Sequence, residues 1–174
     1  MSKIIIISKK KWDETNYNFC KNSKDFILLD NINLKKINQI KPRIIFFIFW
    51  SKKVPEKIFS NFLCIQFHSS DLPKFKGGSP IQNQILSKIY KTKLSAFQIN
   101  KKIDGGDICM KSNISLYGKA ENIYKNIEKK ALEMILKISK KKKKFHSKKK
   151  KADHHFIIEE NLIKVIYLML LIKN

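Results

Sequence analysis

A histidine closes an apolar run and sits beside a Gly-Gly turn. Asn61-Phe62-Leu63-Cys64-Ile65-Gln66-Phe67 leads into His68, and Lys76-Gly77-Gly78-Ser79-Pro80 follows. Further on, Asp104 precedes a second pair, Gly105-Gly106. An imidazole titrates near neutrality and suits proton transfer. A carboxylate within reach can orient that ring or accept a proton through water. The chain holds five glycines, and four of them form these two pairs. Glycine is the default where backbone takes φ > 0 or lies close to a ligand. Either pair alone reads as a tight turn, and a lone histidine at a strand end is ordinarily a satisfied, half-buried side chain. Both pairs beside a histidine and an aspartate, in a chain this poor in glycine, point to a site.

Other constellations are weaker. Asp153-His154-His155 offers too few ligands at useful spacing for a metal site. Cys20, Cys64 and Cys109 are isolated, which argues against a zinc site or a disulfide framework and for a reducing cytoplasm. No metal is expected.

The elements that must position His68 and Asp104 follow from periodicity. Lys3 to Ser8, with four consecutive isoleucines, reads as a first parallel strand. Residues 9 to 25 form a helix or long loop carrying Trp12, Tyr17 and Phe19. Phe26 to Asp30 is a second strand, and Asn31 to Ile40 a short helix ended by Pro42. Arg43 to Trp50 is apolar on both faces and therefore central. A short helix opens at Pro55, and the strand ending at His68 follows. Pro80 suits the first turn of a helix over 81–90. Lys93 to Asn100 and Asp107 to Leu116 are strands flanking the loop that carries Asp104. Ile123, Ile127, Ala131, Met134, Ile135 and Ile138 line one face of a helix over 120–139. The alternation predicts a three-layer α/β fold, with a largely parallel sheet and helices on both faces. In such sheets ligands bind at strand ends.

The formal net charge is +23, yet Arg43 is the only arginine. Readers of bases and phosphates lean on arginine for bidentate contacts. The excess of Lys, Ile and Asn points instead to drift in an A/T-rich genome. Attraction to polyanions is the other reading. Lysine runs at 140–144 and 148–151 read as a solvated segment, or more sharply as a clamp for phosphates. Neither the N-terminal isoleucines nor the apolar run Val165 to Ile172 is long enough for a signal peptide or a membrane span. The expected division is a catalytic domain over 1–139, then a Lys-rich segment and short terminal helix over 140–174, truncated relative to longer relatives.

His68-Ser69-Ser70-Asp71-Leu72-Pro73, Gly77-Gly78-Ser79-Pro80-Ile81-Gln82 and Ile103-Asp104-Gly105-Gly106-Asp107-Ile108 together resemble the folate-dependent formyltransferases over roughly residues 43–138. That family acts on glycinamide ribonucleotide, methionyl-tRNA or nucleotide sugars. The resemblance implies a formyltransferase-like, Rossmann-type fold, 10-formyltetrahydrofolate as formyl donor, a primary amine as acceptor and, as often in relatives, a homodimer. It places His68 and Asp104 on the catalytic His and Asp. Gln66 stands where the family has Asn, one methylene longer but on the same strand face as His68. Gln82 or Asn83 could supply a compensating amide. Ser70, Asp71, Leu72 and Pro73 match the segment that lines the folate site, with Asp71 where Leu is usual. Trp50 and Ser51 fall where relatives wall the pterin, although Trp50 reads equally as core. Gly105 and Gly106 fall with the folate-binding loop.

For the acceptor, the stretch after Ser139 is short for a tRNA-binding domain, and Ser8-Lys9-Lys10-Lys11-Trp12 lacks the glycine-rich phosphate loop of the ribonucleotide enzymes. The expectation is therefore a nucleotide-linked amino sugar, with tRNA second and no membrane partner. A basic protein binding nucleic acid through its lysine runs, and a formyltransferase that folds without turning over, are the competing readings.

Overall fold

The computed structural model describes residues 3–140. The lysine runs beyond Lys140 and the helix expected over 161–174 lie outside the described residues. Six strands form one sheet in the order β2-β1-β3-β4-β5-β6. They are β1 (Ile4–Ser8), β2 (Phe26–Leu29), β3 (Ile44–Ile48), β4 (Cys64–His68), β5 (Lys91–Gln98) and β6 (Ile108–Ser115). β1 pairs in parallel with β2 and β3, and β3 with β4. β5 and β6 add antiparallel. The helices are α1 (Glu14–Asn22), α2 (Leu34–Ile40), α3 (Glu56–Phe59), α4 (Pro80–Leu86) and α5 (Ala120–Lys140). The largely parallel α/β sheet is thus as expected.

The apolar runs form central strands because both of their faces are covered. Every residue of β1 and of β3 is buried. Ile5, Ile7, Ile45 and Phe47 pack on one face with Ile37 of α2 and Ile58 of α3. Alternation turns Ile4, Ile6, Ile44 and Phe46 to the other face, where α5 supplies a buried stripe of Ile123, Ile127, Ala131, Met134, Ile135 and Ile138. Local capping sets the ends. The Asp13 carboxylate accepts from Thr15 N at 3.1 Å, and Asn33 Oδ1 accepts from Lys36 N at 2.9 Å. Lys41 closes α2 in the left-handed conformation, just before Pro42.

Several boundaries differ from the expected ones, and three of them have a clear backbone cause. β3 ends at Ile48 because Phe49 turns with φ +50, which takes Trp50 out of the sheet. α4 stops at Leu86, not at residue 90, because Lys88 adopts φ +59 and Ile89 N donates back to Gln84 O at 2.8 Å. Tyr90 then joins the sheet edge, its carbonyl accepting from Leu116 N at 2.7 Å, so β5 starts at Lys91. Among the described residues no helix is long and apolar enough to cross a membrane.

One buried charge links α1 to α5. Glu128 is buried on α5, and its Oε1 accepts from Asp13 N at 2.9 Å and from Asn16 Nδ2 at 2.8 Å. Burial raises its pKa above the ordinary 4.5, and those two hydrogen bonds only partly oppose it. The native state therefore holds this proton more tightly than the unfolded chain. That contribution to stability is present below the ordinary value and is lost as pH rises through the raised one. Glu128→Gln keeps the accepting oxygen and removes the charge. Urea unfolding should show the variant to be the more stable form at pH 7, with the gap closing below about pH 4.5.

Candidate active site

The carboxyl ends of β3 and β4, the 69–79 loop and the turn after β5 enclose a cavity of about 640 Å³. Gln66 and His68 enter it from β4, Trp50 and Ser51 from the segment after β3, and Asp104 from the β5–β6 connection. Phe97 of β5 and Tyr124 of α5 complete the wall. Its size is that of an ordinary small-molecule site.

His68 is 6% exposed. Its Nε2 lies 2.7 Å from the carbonyl oxygen of Phe75. A carbonyl only accepts, so Nε2 carries the hydrogen. Nδ1 then faces Asp104 Oδ2 at 3.7 Å, too long for a direct hydrogen bond but close enough for an ion pair once the ring is protonated. The same Oδ2 accepts from Gly77 N at 2.8 Å. The 69–79 loop thus holds both members of the pair through its backbone. To do so, Phe75, Gly77 and Ser79 all take positive φ. Asp104 is itself left-handed at φ +45, a conformation that aspartate tolerates better than most residues.

Gln66 Nε2 donates to the carbonyl of Trp50 at 3.2 Å. The extra methylene relative to asparagine spans that distance, and one amide hydrogen and Oε1 remain for a ligand. Trp50 is 6% exposed and packs in the core beside Phe47, with ring centroids 5.8 Å apart. It also lines the cavity, so core and wall are one position. Its Nε1 is buried without a protein acceptor. Of the two candidate compensating amides, Gln82 lines the cavity, whereas Asn83 Nδ2 donates to Gly78 O at 3.2 Å.

The segment 70–73 is placed otherwise than expected for folate-lining residues. Ser70 is fully buried; its Oγ donates to Lys74 O and its carbonyl accepts from Ser95 Oγ, each at 2.6 Å. Leu72 is buried with its N–H on Ser95 Oγ at 3.3 Å. Asp71 is drawn to the β5–β6 hairpin by Lys93 at 3.1 Å and Lys111 at 2.5 Å. Hydrogen bonds from Lys111 and then Lys93 hold its carboxyl below the usual range. Pro73 is exposed. None of the four lines the cavity; they brace the turn that delivers Phe75 to His68.

Gly105 and Gly106 lie in the Asp104 turn without lining the cavity either. A Cβ on Gly106 would stand 1.6 Å from Gln98 O, so this glycine permits close approach to β5 rather than to a ligand. The roles of the Phe75 carbonyl and the Gly77 N–H escaped sequence reasoning because backbone groups leave no residue signature. Tyr124 escaped because it lies beside the apolar stripe of α5. Its ring meets Phe49 edge-on at 5.5 Å, with Lys10 Nζ 3.9 Å from its centroid.

Comparison with known proteins places this geometry. The family model described as Formyl transferase matches residues 8–139. The chain is similar to a methionyl-tRNA formyltransferase of Campylobacter fetus, 31% identical over 112 residues, which covers 64% of this chain and 37% of that protein. Against one from Buchnera aphidicola it is 31% identical over 107 residues, 59% of this chain and 34% of the relative. The chain thus spans about a third of the length of these curated relatives. Among solved structures, a methionyl-tRNA formyltransferase from Clostridium thermocellum superposes with a TM-score of 0.71 at 38% identity, covering 79% of this chain and 65% of that one. A 4-N formyltransferase from Francisella tularensis shares the fold, with a TM-score of 0.61 at 19% identity over 79% of this chain and 67% of that one.

The glycines differ in what they permit. Gly77→Ala should cost about 1–2 kcal/mol, because φ +87 is left-handed, although the space around it is open. Gly78→Ala, in open space and without positive φ, should stay within about 0.5 kcal/mol of wild type. Gly106→Ala must displace backbone and should cost about 3 kcal/mol. Urea midpoints of the three variants check this order.

Proposed function

The chain belongs to the formyl transferase family, and on that footing we propose that it moves a formyl group from 10-formyltetrahydrofolate to a primary amine. The observation that carries this reading is the buried His68–Asp104 pair, 3.7 Å apart, in a cavity that Gln66 also lines. The residues present suit such a donor. Phe97 and Trp50 offer flat apolar walls to a heterocycle.

When bound, the folate supplies an activated formyl carbon and a nitrogen leaving group. The chain's own residues then manage protons and charge. With Nε2–H committed to Phe75, only Nδ1 of His68 is free to take the proton from the attacking amine. Asp104 stabilises the resulting imidazolium across 3.7 Å, and Gly77 N–H keeps the carboxylate in place. The same Nδ1–H returns the proton to the departing nitrogen. The remaining amide hydrogen of Gln66 is the donor for the charge that develops on the formyl oxygen. Ser70, Asp71, Leu72 and Pro73, with Gly105 and Gly106, act by bracing these groups.

For the acceptor, the relatives with 30–38% identity are named for methionyl-tRNA, which favours the amine of an aminoacyl ester. The nucleotide-linked amino sugar expected above is the second reading, supported by neighbours of like fold whose titles name sugar N-formyl or 4-N formyl transfer. Residues 1–139 are taken as the catalytic unit. A cytoplasmic location suits Cys20, which is buried with its thiol pushed up to about 12.

His68→Ala and Asp104→Ala should each lower formyl transfer by about 10²–10⁴-fold while still binding a stable 10-formylfolate analogue. Single-turnover assays with methionyl-tRNA and with a nucleotide-linked amino sugar, run in parallel, separate the two acceptors. A wild-type protein that binds the analogue yet formylates neither would be a folded relative without turnover.

A further inference from the structure

A second cavity, of about 600 Å³, opens between the 71–75 turn, α4 and the β5–β6 hairpin. Its lining brings together Lys74, Lys91 and Lys93 against one carboxylate, Asp71. That carboxylate is already shared, with Lys93 Nζ at 3.1 Å and Lys111 Nζ at 2.5 Å. One negative charge thus serves two ammoniums, and the cavity is left strongly positive. Its inner wall is rigid. Gln84 is 1% exposed; its Nε2 donates to Ser69 O and Pro80 O, and its Oε1 accepts from Thr92 Oγ1. A fixed wall with ammoniums on flexible stems at the rim fits a ligand whose phosphates are met by point charges rather than by bidentate forks.

We propose that this cavity binds a small ligand bearing a polyphosphate group. Lys91 and Lys93 hold its charge from β5, and Lys74 closes over it from the turn. Asp71 acts as an internal counter-ion that the ligand displaces from Lys93. The site stands apart from the proposed reaction, yet one residue joins the two, since Phe75 lines this cavity and gives its carbonyl to His68. Occupancy would therefore be felt by the group that fixes the imidazole.

Lysine is abundant throughout the chain, so the test must separate this cavity from general charge. Calorimetric titration of the full chain with inorganic tripolyphosphate does so through charge-matched variants. Lys91→Glu/Lys93→Glu should weaken binding by about tenfold or more. Lys35→Glu/Lys36→Glu, the same charge change on α2, should alter it by less than about twofold. Asp71→Asn should tighten binding, and Glu56→Gln, which frees the surface Lys101 in the same way, should not. Lys74→Ala, at an exposed position where folding is not at risk, should weaken it. Equal losses in the two double variants, or unchanged affinity in Lys74→Ala and Asp71→Asn, would overturn the proposal.

Discussion

The geometry of the cavity depends on one hydrogen bond, from Nε2 of His68 to the carbonyl of Phe75. It fixes the tautomer, turns Nδ1 towards Asp104 and ties the end of β4 to the middle of the 69–79 loop. A carbonyl can stand there only because Phe75, Gly77 and Ser79 accept positive φ, and the buried Ser70–Ser95 hydrogen bond anchors the turn that leads to them. Strain in the backbone is retained where surrounding structure over-determines it. Here Ser95 of β5 on one side and Asp104 on the other supply that constraint.

The sheet around this clamp is governed by a simpler rule. β3 and all of β1 but its last residue, Ser8, are apolar because α2 and α3 cover one face and α5 the other, and parallel strands so covered read as continuous hydrophobic runs. Such runs are legible, which is why four parallel strands, His68 at a strand end and the stripe on α5 were all readable from residue types. What was not legible is set by backbone conformation. Nothing in Phe49 or Lys88 announces a left-handed residue, yet these two positions end β3 early and shorten α4. The Gly-Gly pairs drew attention to the right loops for reasons only half right. Gly77 serves the clamp, whereas Gly106 makes room for the Gln98 carbonyl.

Asp71 shows how a motif and its surroundings can part company. In sequence it sits within a stretch that resembles a folate-lining segment. In space it lies against the β5–β6 hairpin, paired with Lys93 and Lys111 on neighbouring strands, and does not line the cavity. The lysine excess thus has local consequences even if its origin is compositional. It sets the electrostatics of the β5–β6 hairpin, and at Lys10 it places a cation over Tyr124 and Phe49 at the mouth of the main cavity.

The central claim is that the cavity walled by Trp50 and holding His68, Gln66 and Asp104 receives a formylated folate. Trp50 emission reports on that wall directly, and Trp12, the only other tryptophan, does not line it. The decisive measurement is tryptophan fluorescence during titration with a stable 10-formylfolate analogue, for wild type and Trp50→Phe. The account predicts a saturable change in wild type that disappears in the variant. An absent change, or one of equal size in both proteins, would contradict it.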